Sequence, residues 1–370
     1  MSRRFVHMVI SNAVGGRAGF TLHSIAASTL FHPPKATPAA TTMEDAELPT
    51  PAMSFYLPWL GSQPGWMEFM PLAGGGVSTS QMNDYVVGAD HRGHTVLCDA
   101  AARAVLAMPA LHAPKAFPVS LVAGDTLYVM SRNPQDPECF EALVHGYRPG
   151  SIGPRDFGWY PLPPPVFVHE DPPAAAAAGL EEEDDYDDCQ VVEPCVVDAY
   201  AVFDDAHLWY STHGAGTHCF DIAKNMWSMV GEWKLPFRGR AVHDAGLGLW
   251  FGFSSDHDDR FCACDLAAAA AAGGRRTKSK PPLRKVWEDA VAAPQDCELI
   301  GSYLVPLGSG SFCIARIFQH VLDQEWHITG DSFGVLTGVE VVGGAAAGLD
   351  MIPHKSVRYG LANSYVKNVF

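Results

Sequence analysis

The sequence predicts an all-β protein, a β-propeller of about six four-stranded blades, on three observations. Gly and Pro supply 35 and 28 of the 370 residues, punctuation that breaks the chain into short elements joined by turns. A period recurs: Val86 to Leu127 and Leu208 to Leu249 are each 41 residues. Within the period, a turn and short apolar strand precede a second strand that ends in an acid, then a large side chain and a Leu-Pro or Met-Pro pair. Short strands repeating every 40 to 50 residues or so mark propeller blades, sheets that cannot bury both faces alone and must stack.

Taken in order, residues 5–10 and 19–25 are apolar and β-prone, so they read as strands. Residues 124–130, 205–211 and 246–253 are the turn-then-strand halves of successive units. In the last, Leu247, Leu249, Phe251 and Phe253 alternate with Gly248, Trp250 and Gly252, the two-residue period of a strand. The acid-ended strands finish at Asp99, Glu141, Asp221 and Asp265. Asp99 leads to Val105 and Met108-Pro109, and Glu141 to Trp159 and Leu162-Pro163. Asp221 leads to Trp227 and Leu235-Pro236, and Asp265 to Trp287. Each carboxylate is expected to accept backbone N–H bonds where the chain reverses. Each Trp is expected to fill the widening gap between neighbouring blades. Leu127 to Leu208 spans 81 residues, read as one unit enlarged by an insertion, with two units as the competing count. Six blades fit the length; five and seven are the neighbouring counts. Residues 1–30 and roughly 340–370 are expected to share one blade and close the ring, removing two sheet edges. A β-sandwich or two barrels share the regular spacing but not the strand–acid–turn–Trp–Pro order.

Residues 1–370 read as one domain with two inserted loops. In the acidic loop, 171–190, seven acids fill eight positions from Glu181 to Asp188; they repel one another and bury nothing. The second loop, 266–285, joins an alanine run to Arg275, Arg276, Lys278, Lys280, Arg284 and Lys285. Its basic part, 275–285, has the density of a nuclear localisation signal or an anion-binding patch, against the reading of a solubilising insertion. The two loops attract each other if they leave the same face, weakly beyond about 10 Å.

A net charge of −16 sets the chain against nucleic acid and anionic membrane. No apolar stretch is long enough to span a bilayer. The nine cysteines follow no spaced framework, and no Asn-x-Ser/Thr acceptor occurs, which points to reduced thiols in an intracellular protein, cytoplasmic and/or nuclear. An organelle transit peptide is the alternative, since nothing acidic precedes Glu44 while Arg3, Arg4, Arg17 and Lys35 do.

His207, His213, His218, Cys219, His243, His257, Cys262 and Cys264 gather zinc-type donors within 207–264, without a Cys-x-x-Cys pair. Cys262 and Cys264 share one strand face, so they read as core thiols. Asp256, Asp258 and Asp259 surround His257 but lack the glycine and distal glutamate of a calcium loop, so they read as a hairpin tip. Residues 308–311 lack the spacing of a nucleophile elbow, and residues 246–252 lie in a strand rather than at a dinucleotide turn. No catalytic residue, cofactor-binding residue, metal ligand or cofactor is therefore assigned, and the catalytic reading has no motif behind it.

Several segments resemble a family expanded in grasses, domain of unknown function 1668: residues 2–5, 22–25, 43–49, 210–217, 235–241 and 249–254. The similarity spans nearly the whole chain and is most specific around 200–254. It implies a plant intracellular protein whose fold looks like a kelch-type propeller, with no catalytic residues to carry over. This chain departs from kelch signatures in lacking most paired glycines before each Leu-Trp or Leu-Tyr strand. The expected function is a propeller scaffold binding a protein or peptide partner through rim loops. The alternative is a small-ligand-binding or enzymatic propeller with a polar central channel.

Overall fold

Strand-length apolar runs fold into antiparallel sheets, most of them four-stranded, in the computed structural model. It describes residues 3–14, 17–33, 43–57, 65–72, 84–146, 156–168, 196–270, 279–288, 294, 296–323, 328–343, 348–362 and 364–370. Among the described residues helix is confined to two 3-10 turns and the alanine turn Ala267–Ala270. No helix among the described residues is long and apolar enough to cross a membrane.

The terminal sheet runs, in spatial order, through Tyr365–Val369, Phe5–Val14, Arg17–Ala26 and Met53–Tyr56. The second sheet takes Met67–Pro71, Tyr85–Asp90, Thr95–Asp99 and Ala104–Met108. The third takes Val119–Ala123, Thr126–Met130, Phe140–Gly146 and Asp156–Pro161. An eight-stranded sheet follows, made of two antiparallel halves, residues 197–231 and 237–286. Among the described residues the halves are paired strand to strand where Val197–Phe203 and Phe237–Asp244 run parallel, at Ala199↔Gly239 and Tyr200↔Arg240. The last sheet contains Cys297–Gly308, Ser311–Asp323, Ile328–Val342 and Asp350–Ala362, with Met43–Ala46 added in parallel at its edge.

Most inner and middle strands of these sheets are buried on both faces, because each sheet packs on two neighbours. Val9, Phe20 and Leu22 of the terminal sheet meet Phe69, Val86 and Cys98 of the second. Val87 and Leu97 of the second meet Val122 and Leu127 of the third, whose Met130 and Phe140 meet Leu208, Tyr210 and Phe220. Between the two halves of the eight-stranded sheet, Phe203, itself stacked on Trp209 of its own half at 4.0 Å, stacks on Trp250 of the other half at 4.5 Å. Phe251 and Phe261 then pack on Phe312 and Val339 of the last sheet. Finally Cys313, Ile317 and Leu336 of that sheet meet Val6, Met8 and Ile10 of the first. Each buried Phe or Leu contributes about 1.5–3 kcal/mol, so these junctions hold the sheets together.

Residues 5–10 and 19–25 form strands, as the sequence indicates. The third sheet packs directly on residues 208–220, across the 81-residue interval from Leu127 to Leu208. The termini meet more narrowly than expected. Among the described residues only Tyr365–Val369 joins the N-terminal strands, whereas Ile328–Val342 and Asp350–Ala362 belong to the last sheet. The reason is strand length: these strands of 15 and 13 residues pair with each other along almost their full run.

Candidate functional site

The acids that end strands act as expected in three of four cases. Asp99 accepts the Ala102 N–H at 2.8 Å, Asp221 that of Lys224 at 2.9 Å, and Asp265 that of Ala267 at 3.1 Å. Glu141 departs from this pattern. Fully buried at 0 % exposure, it reaches back to the preceding loop, accepting the His112 N–H at 3.0 Å and the Ala113 N–H at 3.3 Å. Lys115 Nζ donates to its Oε1 at 2.5 Å and His112 Nδ1 to its Oε2 at 2.6 Å. Burial alone would raise the Glu141 carboxyl, but these donors outweigh it and hold the group below the usual carboxylate range. The cluster clamps the loop between the second and third sheets; its ligands are internal, so it anchors structure.

The wedge positions follow the expectation where they carry Trp. Trp159 lies between the second and third sheets and donates Nε1–H to Thr95 Oγ1 at 3.3 Å. Trp227 donates to the Pro163 carbonyl at 2.9 Å, and Trp287 packs beside Phe251 and Phe312. Val105, the aliphatic residue at the equivalent place, is not a wedge. It is 55 % exposed on an outer strand whose next residue, Leu106, is 54 % exposed.

The zinc-type donors are dispersed. Cys262 and Cys264 lie in the core between the halves of the eight-stranded sheet, and burial pushes the Cys264 thiol up to about 12. His218 packs on Phe167, His243 on Trp250, and His257 faces Ser254 Oγ at 3.0 Å. His207 faces Asp221 at 3.8 Å, and His213 faces Lys234 at 3.1 Å. Among the described residues no group of three His, Cys, Asp or Glu comes together as a metal site. The 256–259 carboxylates are likewise divided: Asp256 pairs with Lys280, while Asp259 lies 3.2 Å from Arg238. Asp258 and Asp259 adopt left-handed φ values of 49° and 55°, which suits a hairpin tip.

Residues 169–195 and 271–278 lie outside the described residues, which covers the acidic run and Arg275, Arg276 and Lys278. The strand ends that flank the two insertions are described. The parallel pairing of residues 199–200 with 239–240, and the antiparallel order within each half, set them at opposite ends of the sheet. Arg284 pairs with Asp265 at 2.9 Å.

Two surface features escaped the sequence pattern. A groove of about 550 Å³ opens between the terminal and second sheets, lined by Met53, Phe55, Leu57, Met67, Val96 and Val105, with Asp90 and His94 at its polar side. It borders the outer strand Ala104–Met108, whose only strand partner among the described residues is Thr95–Asp99. The second feature is Phe117, 69 % exposed with φ 47°, a strained setting for a bulky residue before proline. Lys367 lies 5.9 Å from its ring centroid and 3.9 Å from Glu68. The Phe-Pro pair was the only available signal in the sequence. In the inner seam, burial lowers the Arg240 pKa, and its guanidinium has no hydrogen bond or ion pair among the described residues. Arg3, buried and repelled by Arg240, is pulled down to about 10.

The comparison with curated proteins gives no match. Among solved structures, the chain is similar to the β-propeller domain of Myceliophteria thermophila Cps50 (Swd1), at 10% identity and a TM-score of 0.34 over 73% of this chain and 80% of that one. It is also similar to apo AztD from Citrobacter koseri, at 9% identity and a TM-score of 0.33 over 96% and 98% of the two chains. The family model described as protein of unknown function (DUF1668) matches residues 3–359, and the chain belongs to that family.

Proposed function

We propose that the protein is a closed, kelch-type propeller of six blades that acts as a scaffold, binding a partner protein or peptide at its rim. The six apolar junctions, taken in turn, lead from the terminal sheet back to itself, which supports a ring with each half of the eight-stranded sheet as one blade. The observation that carries the binding role is the outer strand Ala104–Met108. Its residues 104–107 are apolar and exposed, its outer edge has no strand partner among the described residues, and it flanks the apolar groove. Such an edge is a template for an added strand, with the groove taking alternate side chains. The strong negative charge favours a protein partner over nucleic acid. The seven unpaired cysteines among the described residues support a reducing compartment, cytoplasmic or nuclear.

The experiment is selection of extended peptides from a display library against the protein and against a Val105→Lys/Leu106→Lys variant. Peptides with alternating apolar residues are expected to bind the first and to lose binding to the second, with circular dichroism unchanged. Undiminished binding to the variant overturns the reading. A second reading, a small ligand in a polar central channel, is favoured by one observation: the unpaired Arg240 beside Tyr200 on the inner seam.

A further inference from the structure

Strand Met43–Ala46 is unlike the other strands. All four residues are exposed, none belongs to an apolar cluster, and it pairs in parallel with Asp350–Ala362, from Ser356↔Met43 to Tyr359↔Ala46. Among the described residues, the outer strands Met53–Tyr56, Ala104–Met108, Asp156–Pro161, Met226–Gly231 and Leu283–Val286 each have one strand neighbour, so there the last sheet is the one whose outer edge carries a cover. The cover is read by charge. Arg358 Nε and Nη2 donate to the two carboxylate oxygens of Asp45 at 2.6 and 2.9 Å, a bidentate fork, and Lys355 Nζ lies 3.4 Å from Glu44 Oε1. Successive strand residues point to opposite faces, so the two cations grip the added strand from both sides.

We propose that the edge of Asp350–Ala362 is a receptor for an acidic, extended segment of a partner protein, and that residues 43–46 fill it as a built-in competitor. The occupant seen here defines the ligand chemistry: two consecutive carboxylates on a strand that pairs in parallel. The occupant is also loosely held. It buries no apolar side chain, and ion pairs this exposed contribute little to stability. Backbone bonds supply affinity to any extended chain, while Lys355 and Arg358 select an acidic one. This edge is separate from the rim groove, and its test stands whether or not the groove binds anything.

The test uses a fluorescent peptide of residues 41–49 and anisotropy titration of the full chain. In the Glu44→Lys/Asp45→Lys variant, like charges oppose Lys355 and Arg358 and empty the edge. That variant is expected to bind the peptide about tenfold or more tightly than the unmodified chain, whose own strand reduces the fraction of free edge. Adding Lys355→Glu/Arg358→Glu is expected to abolish binding, and circular dichroism is expected to match in all three. Absence of saturable binding to the emptied edge, or binding undiminished by the second pair of substitutions, overturns the proposal. So does a concentration-dependent dimer of the unmodified chain that those substitutions dissolve, because a second copy would then be the occupant.

Discussion

Two carboxylate–cation clusters tie distant segments to sheets in this protein, one sealed and one open. Glu141 and Lys115 are 0 % and 2 % exposed, and every donor around the carboxylate comes from one loop. Asp45 and Arg358 have the better fork geometry but sit in solvent, 69 % and 44 % exposed. In both cases the carboxyl is held below its ordinary value, by the Arg358 hydrogen bond for Asp45 and by Lys115 and His112 against burial for Glu141. The likeness in pKa hides a difference in consequence. Removing one partner of a sealed pair strands a charge in the interior, whereas removing one partner of an open pair returns the other to water. The sealed cluster therefore anchors a junction, and the open one can exchange its occupant.

The largest effect separates them most sharply. Lys115→Met leaves the Glu141 carboxylate buried without its cation and is expected to cost about 3–5 kcal/mol in urea denaturation. The Lys115→Met/Glu141→Leu pair is expected to recover most of that loss, because neither charge then remains. An additive double variant would show that the pair is not coupled.

Between the extremes stands His7, 1 % exposed, which faces Asp84 at 3.1 Å through Nε2 and Ser24 at 3.0 Å through Nδ1. Burial lowers its pKa despite Asp84, and burial likewise lowers those of His23 and His243. The unfolded chain thus takes up these protons first. Stability is full above an unfolded pKa of about 6.5 and falls as pH drops toward the folded values, by about 1.4 kcal/mol per pH unit for each proton. Asp84 and Glu141, both lowered, add a second loss at pH below about 4. Denaturation midpoints measured from pH 7.5 to 5 test this: His7→Gln is expected to flatten the slope, and an unchanged slope would exclude His7 as a contributor.

The smallest effect belongs to the open cluster. Asp45→Asn is expected to leave the melting temperature unchanged in calorimetry while loosening Met43–Ala46, read as faster amide exchange at residues 43–46. A clear drop in melting temperature would contradict the view that this strand is weakly held.

What the sequence determined by itself was local. The strand Leu249–Ser254, which begins two residues later than the alternating run 247–253 because Leu247 and Gly248 lie in the turn, the reversals after Asp99, Asp221 and Asp265, and the wedge role of Trp159, Trp227 and Trp287 all depend on neighbours a few residues away or on side-chain size. Tertiary structure decided the rest. Glu141 follows the same local pattern as Asp99, yet its donors come from a loop 26 to 29 residues earlier. Val105 occupies a wedge position by order but is exposed, because Ala104–Met108 is the outermost strand of its sheet. The partner of Met43–Ala46 lies 313 residues downstream at Arg358. Hydrophobic period and turn chemistry are written within a few residues, so they can be read along the chain. Which edge a short polar strand covers, and which carboxylate is sealed from water, depends on segments that only folding brings together.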